Sequence, residues 1–230
     1  MNLRCCMAGL VLALVGSGFC QATSLAIVNA GFEDPPLALG GSTSNTTPGW
    51  TGAPSIGAGN WYGVAHELFA APEGVNSGYV RLPIAQKLGD VLSSNTQYTL
   101  SFWVAGDARP DHNPDAFRVE LLASELTELN LTDLSKGTVL AELTGPIVAG
   151  QYQQHVLDYT ALNGNPFLGQ HLAIRLSQIV LLPNPDPLRP SSDYDDIQLT
   201  ATLVPEPTGL VTVALGATIA IVGRWFRRRG

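Results

Sequence analysis

Cysteine is nearly missing from this chain: Cys5, Cys6 and Cys20 are the only three in 230 residues, and all fall in the first twenty. Downstream of Cys20 no disulfide, thiolate nucleophile or cysteine-ligated zinc can be built. Basic charge is equally thin. Arg4 and four tail arginines account for five of the twelve Lys and Arg, which leaves residues 23–207 with 7 basic and 19 acidic side chains, a net of −12. Such a surface repels phosphate backbones and excludes nucleic acid as a partner. The four histidines, His66, His112, His155 and His171, are scattered, with no His-Glu-x-x-His pair. A Gly-x-Ser-x-Gly elbow, a phosphate-cradling glycine loop and a dinucleotide fingerprint are also absent. Nothing here points to catalysis, and the sequence is read as that of a non-enzymatic protein.

Long apolar runs are confined to the two ends. Residues 1–22 have the form of a secretory signal peptide: Arg4, an apolar stretch from Met7 to Val15, then small residues with a cut expected after Ala22. That cut removes all three cysteines. A lipoprotein anchor at Cys20 is the alternative, disfavoured by Phe19 where a small residue is wanted. The other end, residues 204–230, begins with Val204-Pro205-Glu206-Pro207 and continues as 16 uncharged residues from Thr208 to Gly223. As a helix that run covers about 24 Å, short of the ~30 Å hydrocarbon layer. Trp225 and Phe226 at the interface and Arg224, Arg227, Arg228 and Arg229 in the headgroups make up the difference, with the C-terminus held in the cytoplasm. The order of Pro-Glu-Pro box, apolar helix and arginine-rich end resembles the PEP-CTERM sorting signal of Gram-negative bacteria. The resemblance implies an exosortase as processing partner, with Val204, Pro205, Glu206 and Pro207 as its recognition box, and release of the upstream domain to the cell surface or outside. An ordinary membrane tail anchor is the alternative.

Residues 23–203 form one domain rich in Gly, Pro, Ser, Thr and Asn, without long helical periodicity. Strands are expected over 24–29, 78–82, 97–105, 116–123, 138–143, 151–160, 171–182 and 194–203, and a helix over 124–134. This many short strands in one domain predicts an all-β, jelly-roll β-sandwich. The clearest strand sends Tyr98, Leu100, Phe102 and Val104 to the core and Trp103 to the opposite face.

Five phrases carry a further resemblance: Val28-Asn29-Ala30-Gly31-Phe32-Glu33, Pro48-Gly49-Trp50, Ala85-Gln86-Lys87-Leu88, Tyr98 to Phe102, and Tyr194-Asp195-Asp196-Ile197-Gln198-Leu199. In this order they resemble the galactose-binding-like jelly rolls, including carbohydrate-binding modules. The resemblance implies a structural calcium ion gripped by Glu33 and Asp196, and a sugar or exopolysaccharide partner. Trp61, Tyr62, Trp103 and Tyr152 are the candidate stacking platforms, with Arg118 and Gln198 as polar contacts. The group Asp107, Asp111, Asn113 and Asp115 lacks the glycine and closing glutamate of an EF-hand loop and is expected to be a polar turn. The expectation is therefore an exported, non-enzymatic matrix or carbohydrate-interacting protein, with a dedicated carbohydrate-binding module as the first alternative. A cryptic glycan hydrolase using Glu67 and Glu120 is the second.

Overall fold

The computed structural model describes residues 21–37, 47–52, 58–62, 70–107, 113–180 and 190–205, with backbone alone for 58–62. The segment before Gln21 and the tail from Glu206, with Pro207 and Arg224 to Arg229, lie outside the described residues, as do His66, Glu67, Asp111 and His112. Eleven strands are described: β1 Thr23–Leu25, β2 Thr51–Gly52, β3 Ala58–Tyr62, β4 Asn76–Val80, β5 Ile84–Val91, β6 Thr96–Gly106, β7 Ala116–Ala123, β8 Thr138–Pro146, β9 Gln153–Ala161, β10 His171–Ile179 and β11 Ser192–Leu203. The first sheet runs β3-β4-β11-β6-β9, with β1 also pairing β11, and the second runs β2-β5-β10-β7-β8. Every pairing is antiparallel. The two sheets face one another as an all-β sandwich of the jelly-roll kind.

Strict alternation in β6 builds the first sheet's share of the core. Tyr98, Leu100, Phe102 and Val104 are at most 2% exposed and join Tyr194, Ile197 and Leu199 of β11 against Phe117, Val119, Leu121, Leu172, Ile174 and Leu176 of the second sheet. Each such side chain withdrawn from water contributes about 1.5–3 kcal/mol. Phe102 meets Phe117 edge to face at 5.8 Å, and Tyr194 donates its hydroxyl across the sandwich to the Ser177 carbonyl at 2.6 Å. His155, also turned inward, stacks on Phe102 and packs against Phe117; burial lowers its pKa, in keeping with a neutral core imidazole.

Three of the sequence phrases turn out to be one corner. Phe32 stacks on Trp50 at 5.6 Å, and the Trp50 indole N–H donates to the Asn29 carbonyl at 3.2 Å. Gln86 reaches the same segment, its amide accepting from Val28 N at 2.7 Å and donating to the Val28 carbonyl at 2.9 Å. The side-chain amide thus does for Val28 what a neighbouring strand would do, which is why β1 stops at Leu25 rather than running to Asn29.

The helix expected over 124–134 is reduced to α1, Glu128–Leu131. Its leucine pattern is outweighed by Arg175 of β10, which is fully buried and donates to the carbonyls of Leu131, Asp133 and Lys136 at 2.9–3.0 Å. Carbonyls that would otherwise extend the helix are held by the guanidinium instead. Leu131 anchors the short turn in a small cluster with Ala85, Leu122 and Ala173 on the outer face of the second sheet. Among the described residues no helix is long and apolar enough to cross a membrane.

Candidate active site on the outer face of the first sheet

The face of the first sheet turned away from the core collects the unusual chemistry. In β4, Gly78 and Val80 turn inward, where Phe32 covers Gly78 and Val80 joins the core, so Ser77 and Tyr79 turn outward. In β6 the outward residues are Thr99, Ser101, Trp103 and Ala105, with Asp107 following them. In β11 the register breaks between Asp195 and Gln198, and Asp196 takes a left-handed φ of 45°. This bulge decides the site. A strand of strict period two that buries Ile197 and Leu199 would bury Asp193 and Asp195 beside them. The extra residue reverses the facing, so Tyr194 still points inward and both aspartates point out.

Two rows then cross the sheet. Asp193 lies opposite Tyr79 on one side and Ala105 on the other; Asp195 lies opposite Trp103, which lies opposite Gln154 of β9. Tyr152, just before β9, comes within electrostatic reach of both aspartates and lies beside Ser77. Arg81 holds its guanidinium 5.4 Å from the centre of the Tyr79 ring.

Burial sets the charges. The Asp193 carboxyl is pushed up to about 7, first by desolvation and then by Asp107, against a smaller opposing pull from Arg81. Asp195, fully buried, is pushed up to about 8 by desolvation, although the N–H groups of Glu73 and Asp196 donate to it at 2.9 and 2.8 Å. The Tyr152 phenol is driven well above its ordinary range by burial and by the two aspartates, and that of Tyr79 is raised by burial with Arg81 opposing. The site therefore presents two carboxyls that hold protons near neutral pH and two phenols that do not lose theirs. A cleft of about 260 Å³, bordered by Leu25, Asp90, Tyr98 and Leu203, lies at the other end of these strands.

The expected site residues scatter around this arrangement. Trp103 and Tyr152 belong to it. Trp61 and Tyr62 sit on β3 in register with Ser77 and Asn76; their side chains lie outside the description. Arg118 is on the second sheet beside Glu142, at 3.7 Å, and Gln198 lies beyond the bulge, exposed and bonded to Asp196 at 2.6 Å. Glu33 accepts from Val75 N and Asn76 N, both at 2.8 Å, while Asp196 accepts from Gln198. Among the described residues no group of three or more His, Cys, Asp or Glu side chains is arranged to hold a metal ion. Glu120 is not poised for hydrolysis: it is paired with Arg175 at 2.5 and 2.8 Å on the other sheet. The sequence reading passed over Tyr79, Arg81, Asp193 and Asp195. The signal available was an Asp-Tyr-Asp-Asp run in a strand whose tyrosine is core, leaving acids on a face that strands rarely load with them.

Residues 23–200 match the family model of the HpiC1 cyclase. Among solved structures, the Stig cyclase Fisc from Fischerella sp. TAU, in complex with (3Z)-3-(1-methyl-2-pyrrolidinylidene)-3H-indole, is similar at 28% identity and a TM-score of 0.63, covering 80% of this chain and 100% of that one. A cyclase from the same organism is similar at 29% identity and a TM-score of 0.62, covering 81% and 100%, and another in complex with 4-(1H-indol-3-yl)butan-2-one at 27% and 0.61, covering 80% and 100%. No curated protein matches the chain. These likenesses overturn the expectation of a non-enzymatic matrix or carbohydrate-interacting protein, together with its carbohydrate-module and hydrolase alternatives, because the match spans the whole sandwich and names an enzyme: the chain belongs to the family of HpiC1-like cyclases.

Proposed function

We propose that the protein is a cyclase that closes a ring in a flat, indole-like substrate on the outer face of the first sheet, with Asp193 as general acid. The observation that carries this reading is the Asp193 carboxyl, pushed up to about 7 on a face where Tyr79 stands opposite it, with Trp103 and Tyr152 nearby. An acid titrating near the working pH is protonated often enough to act and still gives its proton up readily. Ring closure started by a proton passes through a carbon centre bearing positive charge. Aromatic faces hold such a charge without capturing it, as water would. Tyr152, whose phenol stays protonated, supplies a hydrogen-bond donor that fixes orientation. The indole-like class comes from the compounds bound in the similar cyclases.

Binding of 4-(1H-indol-3-yl)butan-2-one, followed by tryptophan fluorescence, and conversion of alkenyl indoles to isomers of equal mass test the proposal. The variant Asp193→Asn is expected to keep binding and lose at least about 100-fold in conversion, the span of one general acid. Equal conversion by the variant, or no binding of any indole, sinks it.

Two further proposals concern setting rather than chemistry. The protein is exported by residues 1–22 and handed to an exosortase through residues 204–230, passing through a membrane-anchored stage. A structural calcium ion held by Glu33 and Asp196, leaning on backbone carbonyls for the rest of its oxygen shell, adds a staple to a domain without disulfides. Melting midpoints that do not move between millimolar calcium and EDTA eliminate that ion.

A further inference from the structure

Every cyclisation begun by adding a proton ends by removing one, and Asp193 need not do both. Asp107 follows directly on the end of β6, two residues beyond Ala105, which faces Asp193, and it lies within electrostatic reach of the Asp193 carboxyl. Residues two apart across a strand pair lie about 7–8 Å from each other with their Cβ atoms somewhat closer, within reach of two carboxyls turned towards each other. Ala105 between them is the smallest side chain of the row, so nothing bulky separates the two acids.

The backbone under Asp107 is held from several sides. Gly106 N donates to the Val148 carbonyl at 3.0 Å, Gly150 N donates to the Gly106 carbonyl at 2.9 Å, and the Asn113 side-chain amide donates to the Asp107 carbonyl at 2.8 Å. Gly106 has to be glycine here: a Cβ would stand 2.3 Å from Asn113 Oδ1 and 2.5 Å from Ile147. Asp107 is itself 7% exposed. A strand end with an acid this buried, braced by two loops, is a fixed position rather than a solvated turn. Asp107 was expected in a polar turn with Asp111, Asn113 and Asp115; the bracing by Asn113 and the loop at Val148 places it on the site instead.

We infer that Asp107 is the second catalytic carboxyl of the site, paired with Asp193 so that the two share one proton, and that Asp107 accepts the proton which ends the cyclisation. This rests on the reading of Asp193 as general acid. In the step, the Asp193 O–H bond breaks and its proton adds to the substrate. A carbon–carbon bond closes the ring on the cationic centre. A C–H bond then breaks, its electron pair re-forms a double bond, and its proton goes to a carboxylate oxygen of Asp107. The product is an isomer of the substrate, and transfer of the proton from Asp107 to Asp193 resets the pair. The groups facing Asp193 are Tyr79 and Arg81 from the β4 side, Asp107 from β6, Tyr152 from the segment before β9, and Asp195 along its own strand. Two carboxyls so placed cannot both ionise freely, and the effect of Asp107 on Asp193 agrees with that.

Titration of the full chain, 13C-labelled at its Asp carboxyls and followed by NMR, tests the pair. Asp193 is expected to titrate near neutral, and its midpoint to fall by about one unit or more in Asp107→Asn. Coupling is reciprocal, so in Asp193→Asn the Asp107 curve must collapse to a single step at lower pH. That second variant carries the test if Asp107→Asn does not fold. A near-neutral Asp193 that stays unmoved in Asp107→Asn overturns the pair and leaves the acid in place. An Asp193 that titrates near pH 4 in the unmutated chain overturns both.

Discussion

At the scale of single residues, the site is an instance of burial setting protonation, and the sign of its consequence can be worked out. Asp193 and Asp195 have folded-state pKa values of about 7 and about 8 against an ordinary 3.8. The folded chain therefore binds these protons more tightly than the unfolded chain. Their stabilising effect is complete below about pH 4 and is lost as pH rises through 7 to 8. The melting temperature is expected to be higher at pH 5 than at pH 9, and the double variant Asp193→Asn, Asp195→Asn to flatten that slope. Scanning calorimetry across this range decides it; a midpoint that rises with pH rejects the buried-acid account. None of this was legible beforehand, because Asp193 and Asp195 are ordinary letters until a bulge fixes which way they face. Trp103 was legible, since the core residues on either side of it leave it only the outer face.

At the scale of elements, period-two patterning in β6 needed no tertiary information: its alternation of buried and half-buried residues forces the register. The helix over 124–134 failed for a reason absent from its own segment, since Arg175, forty residues away, takes its carbonyls. Arg175 is fully buried, as is nearly all of Glu120, and five hydrogen bonds from the guanidinium satisfy the pair and the α1 loop together. Truncating one partner of such a pair strands the other as an unpaired buried charge. Arg175→Met is expected to cost about 3–5 kcal/mol, and the double variant Arg175→Met, Glu120→Leu to recover much of it. Urea denaturation of the three chains makes the comparison. If Arg175→Met alone costs less than about 1 kcal/mol, or the double variant is worse than the single, the pair does not staple the loop to the second sheet.

At the scale of the whole molecule, the chemistry and the core occupy opposite faces of one sheet. A jelly roll can therefore keep its inner layer and exchange its outer one: the apolar core residues of the five sequence phrases belong to the inner layer, whereas Asp195 of the last phrase faces outward into the site. Phe32, Trp50 and Gln86 build the first corner, and Tyr98 to Phe102 build the wall. They specify the fold, which is why they were legible, and leave the function open. The ends of the chain pose a separate question with its own measurement. If residues 1–22 and the tail are processing signals, the protein recovered outside the cell starts near Thr23, ends near the Val204-Pro205-Glu206-Pro207 box and contains no cysteine. Intact-mass spectrometry of the secreted material is expected to give that shortened chain. Replacing Pro205, Glu206 and Pro207 by alanine should retain the protein at the membrane at full C-terminal length, because a helix-permissive segment no longer offers an extended stretch to a protease outside the bilayer. A secreted form still ending in Arg229-Gly230, or unchanged release of the triple-alanine variant, would remove the sorting role of the tail and leave the cyclase site untouched, since no residue of that site lies within either end.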